Sequence, residues 1–423
     1  MSDFNRVFIT GRSALTPSGN TADDTWNSIL AGASGIDEIK HWDLSQWSYR
    51  LGGELKDFQP AKMLPDRKLI KVISRQDVMG INAAVQAVEN SQMIAYRDTL
   101  SSPDSFNEQT GVYVGSPGNK YYQQYDFLPL LAKTDGNMHD FAEQLFDEVH
   151  PMWLLRILPN NVLAYTGINY GFKGPNHNMT NHAVGGTQAM LEAYHAIRSG
   201  QADRAVVVAY DIGIEPQAMF YYEKLGVISD AHLKPFDEEH NGTLLAEGAA
   251  ALVLESEASV KARSATCYGE LIGGLSSSEA TGLFSIESEG EHLTDLLKQT
   301  LEVAGLSSAE VDLVVAHGNG NKKSDVSEAI AIQKVFSDVP VTAFKWSMGH
   351  TLCASGLIDA VLTTYSLQKQ CAPGIANLHK LSKPCEGINV SSSHQPLKNS
   401  THAIMINRGF ASMNACLVVK ACD

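Results

Sequence analysis

The chain has 423 residues, of which 44% are hydrophobic and 19% charged, enough for two to three domains or one large layered unit. Its formal net charge is −15, and the sequence contains no basic stripe that would bind phosphates, which argues against a nucleic-acid partner. No apolar run reaches the roughly 18–20 residues of a membrane span, and no signal peptide is predicted. The six cysteines form no C-x-x-C pair, a pattern typical of a reduced, cytoplasmic protein rather than a disulfide scaffold.

The first half of the chain alternates predicted strands and helices. An apolar strand covers residues 6–10, and Thr21 is the expected cap of a helix with acidic residues in its first turn. The later elements are a helix over 77–89, a strand over 110–115, a helix over 138–149 and a buried strand over 246–255. Residues 117–160 form an insertion rich in aromatic residues and leucine, which we expect to cover a site or to build a dimer interface.

The polar stretch 255–266 predicts a boundary between an amino-terminal half, 1–258, and a carboxy-terminal half, 259–423. The second half begins the pattern again, with strands over 267–272, 311–316, 339–344, 402–407 and 414–420 and helices over 291–304, 325–336 and 356–370. Strands that alternate with helices are typical of an α/β fold with largely parallel sheets. The layout of the two halves indicates a duplication.

The segment Asn181-His182-Ala183-Val184-Gly185-Gly186 lies between a glycine-rich approach and a predicted helix, with a strand over 204–210 to follow. A residue at such a junction faces free backbone N–H groups and the positive end of the helix dipole. Enzymes often place a nucleophile there, because an oxyanion formed beside it is stabilised. Here the position holds an imidazole, which we expect to be neutral because the dipole disfavours its protonated form.

Five separated segments, in order from residue 6 to residue 414, resemble motifs of the β-ketoacyl-ACP synthases of the thiolase superfamily. They are Arg6–Gly19, Lys234–Gly242 with Glu247-Gly-Ala-Ala, His317-Gly-Asn-Gly-Asn321 with Asp325 and Glu328, Lys345–His350 with Ala354-Ser-Gly356, and Asn407–Asn414. The resemblance implies an α/β thiolase fold with five αβαβα layers and two duplicated halves, usually dimeric.

The resemblance also implies a chemistry. Such enzymes extend an acyl chain on acyl carrier protein by decarboxylative condensation. A cysteine is acylated, two histidines polarise the malonyl thioester and stabilise its enolate, a lysine supports one of them, and two backbone N–H groups hold the oxyanion. The carrier protein brings its own phosphopantetheine arm, so the family needs no dissociable cofactor and no metal.

Carried over by position, His317 and His350 match the two imidazoles, and Lys345 matches the lysine. Glu328 matches the acid that supports them. Phe410 matches the gating phenylalanine, and its N–H is one of the expected oxyanion donors. We therefore predict catalytic roles for the first three residues and for whatever occupies the nucleophile position.

That position departs from the family, which has Thr-x-Cys where this chain has Thr180-Asn181-His182. A register shift of one residue would place Asn181 or Ala183 there, and neither is a nucleophile. His182 is therefore either a polar group that acts in an acyl pocket or a plug that fills the vacated site, and its side chain can in principle be acylated although acyl-imidazoles hydrolyse readily.

Two further departures lie at predicted substrate-binding residues. Gly409 and Phe410 are followed by alanine and serine instead of two glycines, which should stiffen the gate because these residues avoid the backbone conformations of glycine. Asn319 and Asn321 replace two hydroxyl residues of the family motif with amides.

Each of these assignments has an alternative explanation. A single histidine after a strand is more often structural, whereas two in matching motifs with Lys345 retained favour a function. Three converging imidazoles also describe a zinc site, although the lysine would oppose a dication. Cys353, close to His350, could be a substitute thiol, but it lies in a run of small residues that must pack tightly.

Three hypotheses follow. The chain is a Cys-less, chain-length-factor-like partner that forms a heterodimer with a Cys-containing ketosynthase. Alternatively, it is an enzyme, as a homodimer or a heterodimer, that decarboxylates malonyl-ACP or transfers acyl groups through His317, His350 and Lys345. In the third, it is a complete condensing enzyme whose nucleophile lies elsewhere. All three require acyl carrier protein as a partner, and the sequence leaves open whether the chain is an enzyme.

Overall fold

The computed structural model describes residues 4–118, 120 and 127–422. The strands in this part of the chain are β1 Val7–Leu15, β2 Ile36–Glu38, β3 Leu51–Gly53, β4 Thr110–Gly115, β5 Asn176–Met179, β6 Arg204–Ile212, β7 Glu247–Ser256, β8 Gly269–Ser278, β9 Leu313–Val315, β10 Pro340–Thr342, β11 Cys371–Ala372, β12 Asn389–Val390, β13 Gln395–Pro396, β14 His402–Gly409 and β15 Met413–Lys420.

The helices are α1 Ala22–Leu30, α2 Pro60–Met63, α3 Arg75–Ser91, α4 Met93–Arg97, α5 Asp104–Glu108, α6 Leu128–Lys133, α7 Met138–Glu148, α8 Trp153–Arg156, α9 Asn161–Tyr170, α10 Gly185–Arg198, α11 Pro216–Lys224, α12 Glu257–Arg263, α13 Glu291–Ala304, α14 Lys322–Val335, α15 Lys345–Met348 and α16 Ser355–Lys369. Short 3₁₀ turns lie at Arg67–Lys71, His182–Val184, Ser308–Glu310, Leu352–Ala354 and Lys383–Cys385.

The main sheet runs in the order β12-β10-β9-β14-β15-β8-β1-β7-β6-β4-β5. When the edge strand β12 is left out of the count, the third strand of each half is followed across the main sheet by the second, fourth, fifth and first, namely β5-β4-β6-β7-β1 and β10-β9-β14-β15-β8. The shared order shows the duplication of the two halves, which meet where β1 pairs with β8. The predicted boundary at residue 258 lies within α12.

The expectation of largely parallel sheets is wrong. The outer strands of each half pair in parallel, but β7 is antiparallel to both β6 and β1, and β15 is antiparallel to both β14 and β8. Parallel neighbours need a long crossover, whereas β14 and β15 are joined by a tight hairpin that makes them antiparallel. Alternating strand and helix patterns do not report such local reversals.

Helices separate the two half-sheets and cover their outer faces. On the outside, α3 packs against β1, β6 and β7, while α13 packs against β8 and β15 and also against α14. Between the half-sheets, α10 packs on β4 and β6, α16 packs on β7 and β14, and the two helices contact each other. The predicted α/β fold with five αβαβα layers is therefore confirmed, and β6 and β7 are buried along their whole length.

The predicted local elements agree well with the structure. Thr21 caps α1 by accepting from the Asp24 N–H, and the helix predicted over 77–89 is α3. The predicted insertion, 117–160, contains α6, α7 and α8, while residues 119 and 121–126 within it lie outside the described residues. Across the described residues, every helix is too short or too polar to cross a membrane.

The expectation of a fully reduced chain is wrong for one pair of cysteines. Cys267 and Cys422 form a disulfide with a Cα–Cα distance of 6.1 Å, although 155 residues separate them in sequence. They meet because β8 begins beside the end of β15, where Glu270 pairs with Lys420. Disulfide pairing depends on this spatial proximity, which cysteine spacing does not show.

A buried ion pair anchors the insertion to the core. The Lys120 ammonium lies 2.6 Å from the Asp77 carboxylate of α3 and also donates to the Leu158 carbonyl at 2.6 Å. Asp77 accepts a further hydrogen bond from the Asn161 amide at 3.0 Å. Both charged side chains are almost completely buried, so each depends on the other for compensation.

We expect Asp77→Ala to lower the free energy of unfolding by about 3–5 kcal/mol, because it leaves the buried Lys120 charge without its partner. Urea denaturation followed by circular dichroism measures this loss. The matched control is Glu148→Ala, which removes an exposed pair with Lys133 and should change stability by no more than about 1 kcal/mol. Equal effects of the two substitutions would contradict a buried, mutually dependent pair.

Candidate functional site

His182 occupies a sharp turn between β5 and α10. Its backbone lies in the left-handed region, at φ 45°, a conformation that is uncommon for a residue with a side chain. Gly186 follows in the first turn of α10, where an added Cβ would lie 2.5 Å from the Cys353 carbonyl oxygen of the other half. Leu352 repeats the left-handed backbone, at φ 47°, in the 3₁₀ turn that precedes α16. The turn is thus a duplicated feature of the fold.

Both ring nitrogens of His182 have hydrogen-bond partners. The Phe410 N–H donates to Nδ1 at 3.3 Å, so the neutral ring carries its proton on Nε2 and donates it to the Tyr222 hydroxyl at 2.8 Å. The ring also stacks on Phe410 with centroids 4.4 Å apart. Burial lowers the pKa of His182 to about 4, so the imidazole is neutral at physiological pH, as the sequence predicted.

Besides His182, two further aromatic rings lie against Phe410. The Phe410 centroid lies 5.2 Å from that of Tyr222 and 5.1 Å from that of Phe284, which meets it edge to face. We refer to His182, Tyr222, Phe284 and Phe410 as the aromatic wall. None of the sequence motifs indicates Tyr222 or Phe284, so neither was predicted.

The loop after Phe410 keeps a glycine-like backbone without glycine. Ala411 and Ser412 both lie in the left-handed region, at φ 61° and 57°, so the expectation that they would avoid it is wrong. Hydrogen bonds offset the strain: the Ala411 N–H donates to the Leu283 carbonyl at 2.7 Å, and the Ser412 hydroxyl donates to the Gly282 carbonyl at 2.7 Å. These bonds hold the loop after Phe410 against the segment that carries Phe284.

His317 and His350 lie edge to face, with ring centroids 5.2 Å apart. Each Nδ1 accepts a backbone N–H at 3.3 Å, from Arg408 for His317 and from Leu352 for His350. The neutral rings therefore carry their protons on Nε2. Burial is the main cause that lowers the pKa of both residues well below the ordinary value, and the Lys345 charge adds to it.

Lys345 and Glu328 lie behind these imidazoles. The Lys345 ammonium pairs with the Asp359 carboxylate of α16 at 3.1 Å, and both side chains are almost fully buried. Glu328 accepts the N–H groups of His317 and Gly318 at 2.6 and 3.0 Å, and burial raises its pKa to about 7. Asp359 was missed by sequence reasoning, because it stands outside the family motifs 14 residues after its partner.

The two asparagines use their side-chain oxygens inside their own loop. Asn319 Oδ1 accepts the Asn321 N–H at 3.0 Å, and Asn321 Oδ1 caps α14 by accepting from Lys323 and Ser324. The amide NH₂ groups remain to face a ligand. An amide nitrogen only donates, whereas a hydroxyl both donates and accepts, so these two NH₂ groups offer a ligand hydrogen-bond donors.

A cavity of about 330 Å³ brings the predicted residues together. Its lining includes His182, His317, His350, Asn319, Asn321, Gly409 and Phe410. A second cavity of about 630 Å³ lies on the other side of the aromatic wall, whose four residues line both spaces in common. Lys345 and Glu328 are not part of the lining and act on the cavity only through the histidines.

The geometry supports neither a zinc site at the three imidazoles nor Cys353 as a substitute nucleophile. Among residues 4–118, 120 and 127–422, the three imidazoles do not form a group of ligand atoms within 4.8 Å of one another, as a zinc site would require. Cys353 is fully buried in a 3₁₀ turn, and burial raises the pKa of its thiol well above the ordinary value. A protonated, buried thiol is a poor nucleophile.

Sequence comparison assigns the chain to a family. The profile described as "Beta-ketoacyl synthase, N-terminal domain" matches residues 4–259, and "Beta-ketoacyl synthase, C-terminal domain" matches residues 268–379. The chain therefore belongs to the β-ketoacyl synthase family, the ketosynthases of fatty-acid and type II polyketide synthesis.

Individual relatives span the whole chain. The 3-oxoacyl-[acyl-carrier-protein] synthase 2 of Staphylococcus aureus strain N315 is 28% identical and covers 99% of both chains, and that of Coxiella burnetii is 28% identical with 98% of both covered. Among solved structures, the ishigamide ketosynthase/chain length factor superposes with a TM-score of 0.88 at 22% identity, over 99% of this chain and 100% of that one. A type II polyketide ketosynthase in complex with its acyl-carrier protein gives 0.85 at 22% identity, with the same coverage. These structural matches establish the fold.

We expect the His182→Phe variant to lose less stability in acid than the wild-type protein. The folded-state pKa of about 4 lies below the ordinary 6.5, so as the pH falls through this window the unfolded state binds a proton that the folded state does not. The stability contribution is complete above pH 6.5 and is lost towards pH 4, by at most about 3 kcal/mol because His182 is only half-buried and solvent screening reduces the effect.

Urea unfolding at pH values across this window measures the difference. His139→Gln, at an exposed position, is the matched control and should follow the wild-type curve. Identical acid dependence of His182→Phe and wild type would show that the imidazole titrates normally.

Proposed function

We propose that this chain is the Cys-less subunit of a ketosynthase pair, similar in role to a chain-length factor, in fatty-acid or type II polyketide synthesis. One observation supports this most directly. At the turn where the family places its nucleophile, His182 accepts the Phe410 N–H, which the family uses for the oxyanion, at 3.3 Å. The position therefore lacks a thiol, and an oxyanion donor is engaged by the residue that replaces it.

His182 is also poorly placed to be acylated. Attack by Nδ1 would require the Phe410 N–H to lose its acceptor, and attack by Nε2 would require this nitrogen first to lose the proton that it donates to Tyr222. Either path breaks a hydrogen bond inside a packed aromatic wall. An imidazole held in this way is a plug that closes the vacated nucleophile position.

The partner surface that we propose lies on the insertion and the adjacent sheet edge. Met138, Phe146 and Leu154 of α7 and α8 are 63%, 85% and 63% exposed, an unusual number of exposed large apolar residues for one short segment. β5 ends the described sheet and presents an unpaired strand edge. A second ketosynthase chain, Cys-bearing in a heterodimer or identical in a homodimer, would cover both features.

The carrier protein is the second proposed partner. Lys322 and Lys323 are exposed at the mouth of the 330 Å³ cavity, where they can attract an acidic acyl carrier protein. Below them, the Asn319 and Asn321 amides offer donors to the carbonyl groups of a phosphopantetheine arm. The arm is the only cofactor that this proposal requires, and the carrier delivers it.

Co-expression with a Cys-bearing ketosynthase tests the main proposal. We expect the two chains to purify as a heterodimer, and we expect intact mass spectrometry after incubation with acyl-ACP to show an acyl adduct only on the partner. Phe146→Glu should prevent co-purification, because it buries a charge in the apolar interface, while Lys298→Glu, at an exposed position of α13 outside the insertion, should not.

His182→Cys provides a positive control for delivery by the carrier. The substitution places a thiol at the same turn and releases the Phe410 N–H, so the variant should form the acyl adduct, and His182→Ala should not. An adduct on the wild-type chain, or condensation activity of the wild-type chain alone, would disprove the proposed role.

A second candidate function is supported by the two other histidines. Decarboxylation of malonyl-ACP releases carbon dioxide and leaves an enolate, which then takes a proton from water to give acetyl-ACP. The neutral His317 and His350 rings carry Nε2 protons beside the same cavity, as stabilisation of an enolate oxygen requires. This step needs no thiol.

We expect labelled carbon dioxide from malonyl-ACP if this candidate is correct, with a loss of at least about 100-fold in His317→Ala, since such donors contribute about 10²–10³ to rate. Asn321→Ala, which retains both imidazoles, should mainly weaken binding of the carrier arm. Release that does not exceed a heat-killed control would exclude the candidate and leave the partner role unaffected.

A further inference from the structure

The 630 Å³ cavity contains a feature unsuited to a plain alkyl chain. Its lining is largely apolar and includes Leu225, Leu352 and the aromatic wall, which suits the acyl chain that the proposed function would place there. The same lining includes Asp211, which lies near the end of β6. A carboxyl group in such a wall is unfavourable unless something hydrogen-bonds to it.

The hydrogen-bond acceptor positions of the Asp211 carboxylate are only partly used by the protein. The side chain is 7% exposed, and its two oxygens accept backbone N–H groups from Ile212 at 2.8 Å and from Cys353 at 3.2 Å. In the described part of the chain no basic side chain pairs with it. A carboxylate has about four acceptor positions, so roughly two remain unused.

A second acid in the lining already has a structural role. Glu215 lines the same cavity, but its carboxylate caps α11 by accepting the Ala218 N–H at 2.7 Å. Burial, followed by the nearby Glu215 charge, raises the pKa of Asp211 to about 7, so both its acid and its carboxylate form are populated near neutral pH. A hydroxyl group can donate to the carboxylate or accept from the acid, so it complements either form.

We propose that Asp211 is a specificity-determining residue that makes this cavity select acyl chains carrying a hydroxyl group over plain alkyl chains. The inference rests on the proposed function for the presence of a chain in the cavity. A plain chain would bury Asp211 without a new partner, whereas a hydroxylated chain replaces the hydrogen bond that water provides.

A purely structural role for Asp211 makes a different prediction. The hydrogen bond from the Cys353 N–H to Asp211 joins the two halves. In this alternative, the sole role of Asp211 is to hold the 3₁₀ turn Leu352–Ala354. Removal of the carboxyl would then lower stability and weaken every ligand to the same extent. A change in ligand preference is the readout that this role does not produce.

The test measures binding of pantetheine thioesters to the purified full-length chain by isothermal titration calorimetry. The probes are dodecanoyl-pantetheine and a series of hydroxydodecanoyl-pantetheines with the hydroxyl at successive carbons. For the wild type, we expect the best hydroxylated probe to bind about tenfold more tightly than the plain probe. Asp211→Leu should reverse or remove this preference, while Thr180→Val, at another lining residue, should keep it.

Asp211→Asn retains a hydrogen-bonding group and should keep a reduced preference, which provides a second variant if Asp211→Leu does not fold. The proposal is overturned if no hydroxylated probe binds the wild type better than the plain probe, or if the preference survives Asp211→Leu. Because no partner chain or carrier protein takes part, failure of the ketosynthase-pair proposal would be seen in co-purification and not in this assay.

Discussion

The hydrogen bond from the Phe410 N–H to His182 Nδ1 is the contact on which the rest of the site depends. It fixes the imidazole tautomer, directs the remaining proton to Tyr222, and holds Phe410 flat against the ring. The resulting aromatic wall separates two cavities that both border it. In the proposed role, an imidazole in place of a thiol changes more than the nucleophile, because the ring also accepts a backbone N–H donor and forms part of the wall between the two cavities.

Burial determines the charge state of the other polar groups. His317 and His350 are held neutral by desolvation and by the nearby ammonium of Lys345, whose own charge is compensated by Asp359. Glu328 braces the loop by accepting two backbone N–H groups. The arrangement keeps two imidazole donors at the cavity while the ionic groups stay behind them, which is the distribution that stabilisation of a developing oxyanion needs.

The middle layer of the fold brings these groups together. The turns before α10 and α16 share the same left-handed backbone and meet between the half-sheets, where glycines allow close approach. At Gly356, an added Cβ would lie only 1.9 Å from the Thr187 hydroxyl oxygen. Hydrogen bonds across this layer, such as that from the Cys353 N–H to Asp211, make the cavities a joint product of both halves.

The sequence by itself determined the family, the α/β layers and most helix and strand positions, because each depends on a local motif or on residue periodicity. The helix dipole predicted a neutral imidazole at residue 182, whereas in the structure burial lowers its pKa. Only the tertiary structure decided the strand directions, the Cys267–Cys422 disulfide, the pairing of Lys345 with Asp359, and the left-handed Ala411 and Ser412. These features arise from contacts between residues that are distant in sequence or from strain that such contacts offset. The Phe410–His182 bond spans 228 positions, and no spacing rule relates its partners.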